Sequence, residues 1–261
     1  MAAIITLTTD FGSGSPYVAA MKGVILGINP SVRLVDISHD VNPQDVHHGA
    51  VLLAEAATWF PPATIHATVV DPGVGTQRKL IYARIGDGQY LAPDNGLLSL
   101  LANRHKPARI VQLTNPEIWL PDVSNTFHGR DIIAPAAAQL SLGLEPERLG
   151  PSIHEMLMLD WPEPRRMGNR IEGAVRWIDH FGNLITNISA GLLADEKNGS
   201  ILRIQCARHD FVGLSQAYGQ RSPGDLTALV GASGYLEIAV VNGSAAQVLK
   251  LQVGASVIVE S

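Results

Sequence analysis

The chain has a single cysteine, Cys206, among 261 residues, which excludes an intramolecular disulfide and suits a reducing compartment. That cysteine lies in the alternating stretch 202–206, where a small apolar filler is expected rather than a nucleophile. There is no excess of positive charge. The formal net charge is −5, against the basic footprint that a nucleic-acid partner requires. The clearest basic cluster, Arg165-Arg166 with Arg170, sits in a stretch read as a solvated linker. No apolar run approaches the ~18 residues of a membrane span, and the first residues lack a basic leader segment. The expectation is a cytoplasmic protein with no membrane partner. Aromatics are scarce at 5%, whereas Gly (25) and Pro (16) are plentiful, so many tight connections are expected.

What remains is a globular balance of 46% hydrophobic and 16% charged residues, at a length where one core stops growing and two become possible. Residues 4–8 read as a strand, followed by a helical pattern from Pro16 to Ile28 that Asn29-Pro30 stops. A second strand is expected over 32–37, a long helix over 43–60, and an apolar strand over 65–70. A hairpin turns at Gly86-Asp87-Gly88, a helix follows Asn95-Gly96, and another is expected over 131–142 with Pro135 near its first turn. Strands alternating with helices imply an α/β domain over 1–158, with a mostly parallel sheet covered by helices on both faces.

After a Pro- and Arg-containing linker at 159–170 the pattern changes. Short strands are expected at 171–177, 184–188, 201–206, 226–230, 235–241, 248–251 and 256–259, separated by glycines and polar turns with no helix between them. Residues 171–261 are therefore read as a smaller all-β barrel or sandwich.

In an open parallel sheet, ligands gather outside the carboxyl ends of the strands. Asp10, Asp36 and Asp71 are placed near such ends, although each alone is equally suited to a turn or a helix cap. Gly12-Ser13-Gly14 is less than a full dinucleotide fingerprint, and a carboxylate there is better matched to a ribose diol. The run Asp71-Pro72-Gly73-Val74-Gly75-Thr76 favours a sharp turn that folds Arg78, seven positions on, back toward Asp71. His128 stands between Phe127 and Gly129 at a loop-to-helix junction.

Four segments stand in order: Thr8-Thr9-Asp10-Phe11-Gly12; Asp71 to Thr76 with Arg78; Phe127-His128-Gly129-Arg130-Asp131; and Asp179-His180-Phe181-Gly182-Asn183 with Thr186-Asn187. With them the chain resembles the S-adenosyl-L-methionine hydroxide adenosyltransferases, hydrolases related to the fluorinase and chlorinase. The resemblance runs from about residue 4 to the segment Ser233-Gly234-Tyr235-Leu236-Glu237-Ile238-Ala239.

The resemblance implies cleavage of S-adenosyl-L-methionine to adenosine and L-methionine, with no cofactor or metal. Asp71, Arg78 and His128 would hold the attacking water or hydroxide. Asp10 would bind the ribose diol, Asp179 the methionine amine, Asn183 the adenine and Ser233 the methionine carboxylate, with Phe127 and Phe181 also lining the ligand. It further implies a homotrimer with each site at a subunit interface. Two positions depart from the relatives: Ser15 where many carry an acidic residue, and Gly129 where the fluorinase has a serine.

The chemistry can be reasoned independently. Methionine leaves the ribose C5′ as a neutral thioether, so no general acid is needed, only an oxygen nucleophile held in line at about 3–3.5 Å. A carboxylate beside a guanidinium is too weak a base to deprotonate water, whose pKa is about 15.7. Asp71 and His128 are thus expected to orient the nucleophile and take a proton late, while Arg78 stabilises hydroxide character. The Asp71 charge should repel a halide, which favours hydrolysis over halogenation. A metallohydrolase using Asp10, Asp36, His39, Asp40, His47, His48, Asp71 and His128 is a rival, although no H-E-x-x-H occurs. A non-catalytic nucleoside-binding protein is another.

Overall fold

The structure is a computed structural model that describes residues 2–194 and 202–261. The chain divides into two compact units, one ending at Leu159 and the other beginning at Asp160.

The first unit is built on six strands, β1 (Ile4–Thr9), β2 (Arg33–Ser38), β3 (Ile65–Val69), β4 (Leu80–Ile85), β5 (Gly88–Pro93) and β6 (Arg109–Gln112), ordered β2-β1-β3-β5-β4-β6. The pairs β1–β2, β1–β3 and β3–β5 are parallel, whereas β4 runs antiparallel to both β5 and β6. The sheet is therefore mixed, with its parallel part where the site residues emerge.

Alternation along β1 explains how both faces are covered. Ile5 and Leu7 enter a core with Met21 and Ile25 of α1 (Pro16–Ile28) and Ala134, Ala137 and Ala138 of α4 (Ala134–Ser141). Thr6 and Thr8 point the other way and are equally buried, toward the face that carries α2 (Val46–Ala57) and α3 (Ser99–Arg104). Met21 and Ile25 are fully buried, each contributing about 1.5–3 kcal/mol of transfer free energy.

The α1 helix starts where Ser15 Oγ accepts the Tyr17 N–H and Pro16 takes the first position, and it ends where Asn29 N–H returns to Ile25 O. The α2 helix is shorter than the expected 43–60. Asp45 caps it by accepting the His48 N–H, and Gln44 just before it has φ +64°, outside helical geometry. The helix expected at 131–142 opens with a π turn over Gly129–Ile133. Pro135 has no N–H to return to Asp131 O, and that carbonyl accepts the Leu120 N–H instead.

The second unit is all-antiparallel along the order β11-β10-β14-β8-β9-β13-β12, a barrel-like sheet with β7 (Arg165–Met167) added to β8. The others are β8 (Arg170–Ile178), β9 (Leu184–Ser189), β10 (Arg203–Cys206), β11 (His209–Val212), β12 (Leu226–Val230), β13 (Tyr235–Val240) and β14 (Ser256–Glu260). Thus part of the stretch read as linker pairs into the sheet. Ile201, the first residue of one expected strand, lies outside the described residues.

Two helices were not expected here, α5 (Ala190–Ala194) and α6 (Ala245–Leu249). Residues 248–251 were read as a strand on their β-branched and apolar side chains. Ser244 caps α6 by accepting the Gln247 N–H, the alanines favour helix, and Lys250 closes it at φ +54°. Cys206 is buried and reduced in the barrel core, and burial pushes its thiol up to about 11, as an apolar filler requires. Among the described residues no helix is long and apolar enough to cross a membrane.

Candidate active site

Thr9 of β1 and Val69 of β3 are register partners in a parallel pair, so Asp10 and Asp71 leave the sheet at adjacent carboxyl ends. Beyond Asp71 the chain turns at once: Val74 N–H returns to Asp71 O, and Thr76 N–H and hydroxyl both donate to Gly73 O. Gly75 sits at φ +80°, and a Cβ there would lie 2.8 Å from Asn125 O. The turn can close against the 124–128 loop only with glycine at this position.

That closure brings Arg78 back onto Asp71. Its Nε donates to both carboxylate oxygens at 2.8 Å, and Nη2 donates to Oδ2 at 2.5 Å. The same Nη2 stands 2.8 Å from His128 Nδ1. The Asp71 and Arg78 side chains are only 6% and 11% exposed, so the pair is largely desolvated. A guanidinium has no acceptor, hence His128 Nδ1 must accept, and the proton of the neutral ring resides on Nε2. Burial holds the His128 pKa below its usual value, reinforced by the Arg78 charge and opposed by Asp71 and Asp131. His128 is therefore a neutral ring presenting one donor.

Two further contacts hold His128. Asp131, fully buried, accepts from Arg130 Nε at 2.5 Å and from the Ser124 N–H at 2.8 Å, which ties the loop before His128 to the helix after it. Gly129 packs directly on β3: a Cβ there would lie 3.2 Å from Val69 Cγ2 and 3.4 Å from Met21 Sδ. A serine at this position would need those neighbours to give way.

Asp10 Oδ2 accepts the Gln44 N–H at 2.8 Å, which fixes the carboxylate and leaves the Oδ1 lone pairs open. Behind it Thr9 Oγ1 meets His39 Nδ1 at 2.9 Å, and Gly12 N–H donates to His39 O. Asp36 lies within β2 rather than at its end, with Lys22 Nζ at 2.6 Å. Asn95 Nδ2 donates to Val70 O and so anchors the strand end immediately before Asp71. Gln44 and Asn95 are missed by sequence reasoning, and His39, a candidate there only for a metal, instead supports Thr9 behind Asp10. Asn95 had one signal, its place in a turn with Gly96, whereas a backbone N–H such as that of Gln44 has none. Phe127 packs edge to face against Phe11, with Arg130 over its ring.

The rival metal set is dispersed. Among the described residues no group of three or more His, Cys, Asp or Glu side chains is arranged to hold an ion. His48 Nδ1 is instead used by the Asn42 N–H.

In the second unit, Asp179 and Asn183 close one turn on each other. Asn183 N–H donates to Asp179 Oδ1 at 2.8 Å and Asn183 Nδ2 to Oδ2 at 2.9 Å. Phe181, at the tip, is 74% exposed, unusual for a phenylalanine. Ser233 Oγ is buried and makes no hydrogen bond among the described residues. Glu237, buried on β13, accepts from the Tyr218 hydroxyl; burial raises its pKa, helped by the charge of Asp179 and opposed by the Tyr218 hydrogen bond.

Residues 5–150 match the SAM hydroxide adenosyltransferase N-terminal domain and residues 173–258 the corresponding C-terminal domain. A protein from Salinispora tropica named (R)-S-adenosyl-L-methionine hydrolase is 40% identical over 254 residues, covering 96% of this chain and 95% of that protein. A fluorinase from an Actinoplanes species is 30% identical, over 71% of each chain. The crystal structure of an uncharacterized conserved protein from Thermotoga maritima superposes with a TM-score of 0.93 at 37% identity, covering 98% of this chain and all of that one. With both domains matched across most of its length, the chain belongs to the SAM hydroxide adenosyltransferase family.

Proposed function

We propose that this chain hydrolyses S-adenosyl-L-methionine to adenosine and L-methionine by directing water at the ribose C5′. The observation that carries the reading is the partly buried chain Asp71–Arg78–His128, linked by hydrogen bonds beside the strand end that bears Asp10. Relatives at this similarity named as hydrolases of the (R) substrate support it.

Water oxygen forms the bond to C5′ as the C5′–S bond breaks, and its electron pair goes to sulfur. Sulfonium becomes neutral thioether, so the departing methionine needs no proton. The water's surplus proton passes to an Asp71 lone pair not used by Arg78 and then to solvent. His128, with its proton on Nε2, donates to the nucleophile and fixes its lone-pair direction; it cannot also serve as the base. This refines the expectation that both groups accept a proton. Arg78 supplies the fixed positive charge that stabilises hydroxide character as it develops.

Asp10 accepts from the ribose diol, with Phe127 as an apolar wall. In the second unit, Asp179 takes the methionine amine, Asn183 the adenine and Ser233 the methionine carboxylate, with Phe181 against the same ligand. Residues divided in this way suit a homotrimer whose sites lie between the first unit of one subunit and the second unit of the next. The reaction calls for no metal or cofactor, and a cytoplasmic location would supply the substrate.

Incubation with S-adenosyl-L-methionine in isotopically labelled water tests the proposal. Label in the 5′-hydroxyl of adenosine is expected. Tight binding without products would point to a nucleoside-binding protein instead. A 5′-halo nucleoside in the presence of chloride or fluoride would point to halogenation.

A further inference from the structure

The rings of Phe11, Tyr17 and Phe127 stand edge to face in a closed triangle. Their centroids are 5.8 Å apart for Phe11–Tyr17, 5.7 Å for Phe11–Phe127 and 5.2 Å for Tyr17–Phe127. Each contact has the geometry that ring quadrupoles favour, so the three rings brace one another. The chain places this corner between two parts of the site, since Phe11 follows Asp10 and Phe127 precedes His128. The Tyr17 backbone is set at the start of α1, where its N–H donates to Ser15 Oγ.

One ring face is already occupied. The Arg130 guanidinium lies 5.0 Å from the Phe127 centroid, its charge met by the buried Asp131. The free aromatic surface is that of Tyr17, 54% exposed, with Phe11 partly buried beside it.

We propose that the Phe11–Tyr17–Phe127 corner is the specificity element that reads the configuration of the sulfonium in the substrate. This rests on the hydrolase function proposed above. In-line attack fixes the O–C5′–S axis, and the ribose anchor at Asp10 fixes C5′. The sulfur then has three directions left, filled by its methyl, its methionine chain and its lone pair. The two sulfonium epimers differ in how those directions are assigned.

With the methionine end held as proposed above, the chain direction is set, and the braced aromatic wall meets the methyl of one epimer and the lone pair of the other. It also presents ring faces to a cationic sulfur and its polarised methyl. Aliphatic side chains would yield to the wrong epimer, whereas interlocked rings do not. The mismatched epimer is pushed off the line of attack. Misfit of a small alkyl group in a stiff apolar pocket discriminates by about 10–200-fold in kcat/KM.

The test is kcat/KM for the separate (R) and (S) epimers with wild type, Tyr17→Phe, Tyr17→Ala and Phe11→Leu, with thermal unfolding as the control for folding. Wild type is expected to favour the (R) epimer, the form for which the Salinispora tropica relative is named. Tyr17→Ala should lower the (R)/(S) ratio by about tenfold or more, whereas Tyr17→Phe, which keeps the ring, should preserve it. Phe11→Leu keeps an apolar side chain toward the core and should also lower the ratio, so the test survives a Tyr17→Ala protein that fails to fold. Wild-type ratios in both Tyr17→Ala and Phe11→Leu would overturn the proposal, as would a wild type that hydrolyses both epimers equally; each leaves the hydrolase function standing. A wild type that hydrolyses neither epimer refutes the hydrolase function itself.

Discussion

Replacing Arg78 by alanine separates the two jobs that its guanidinium does. In the folded protein it donates to both Asp71 oxygens and to His128 Nδ1, with both partners of the ion pair less than one-eighth exposed. Removing one partner of so desolvated a pair leaves an uncompensated carboxylate, at a cost of about 3–5 kcal/mol. A protein in the middle of the ordinary range, at about 10 kcal/mol, survives that loss with a lower melting temperature. The catalytic loss is separate. A preorganised donor to developing negative charge contributes about 10²–10³ in rate, and Arg78→Ala also frees His128 to turn over to the other tautomer. Adenosine release at saturating substrate should therefore fall by about 10²-fold or more, with KM changed far less. Arg78→Lys keeps the charge and loses the planar fork, so it should recover folding better than turnover. Single-turnover release of adenosine, alongside thermal unfolding of each variant, reads both effects. A folded Arg78→Ala protein with turnover within threefold of wild type would refute the reasoning.

Other consequences follow from the same geometry. His128 has a pKa below its ordinary 6.5, set by burial and then by Arg78, so it is neutral at pH 7. Protonation on falling pH loads Nδ1 and turns an acceptor for Arg78 into a second cation. The stability contributed by the neutral ring is complete above 6.5 and lost as pH falls through the lowered value, and kcat/KM should show an acid limb in that window. His128→Asn keeps an acceptor for Arg78 without the Nε2 donor, so the limb should vanish along with most of the activity. Gly75→Ala puts a Cβ 2.8 Å from Asn125 O at φ +80°, and should cost about 1–3 kcal/mol by thermal unfolding and slow turnover by loosening Arg78. Exhaustive chelation should leave the rate unchanged, since no side-chain group among the described residues is arranged for a metal; a rate lost to chelator and restored by a divalent ion would overturn that expectation.

The hydrogen-bonded chain Asp71–Arg78–His128 was legible because each member is marked by its local sequence. Asp71 and Arg78 are joined by a turn whose Pro and Gly residues announce a reversal, and His128 stands at a junction marked by Gly129 and the helix after it. Strand direction was less legible. The apolar runs of β3 and β5 say that they are buried, but not that β5 pairs in parallel with β3 while β4 turns the far edge antiparallel. The α6 helix was hidden by propensity, since Val248 favours a strand in isolation and only the Ser244 cap tips the turn the other way. The clamp on Asp10 was beyond reach for a different reason. Every residue but proline has the N–H that Gln44 donates, and nothing in its side chain announces the positive φ it adopts just before the Asp45 cap.

The Asp179–Asn183 turn shows why a structural and a functional reading of the same motif need not compete. Asn183 donates its backbone N–H and its amide to the Asp179 carboxylate, a pattern that closes tight turns. A carboxylate has about four lone-pair sites, and these two bonds use half of them. What they remove is rotational freedom, not acceptor capacity. The open lone pairs belong to a turn whose tip carries a phenylalanine that is mostly exposed. Asp10 is held on the same principle, by one backbone N–H on one oxygen. In both units a carboxylate expected to bind the ligand has been fixed by spending part of its hydrogen-bonding capacity on the protein. Ordering the side chain in advance in this way lowers the entropy that substrate binding must overcome.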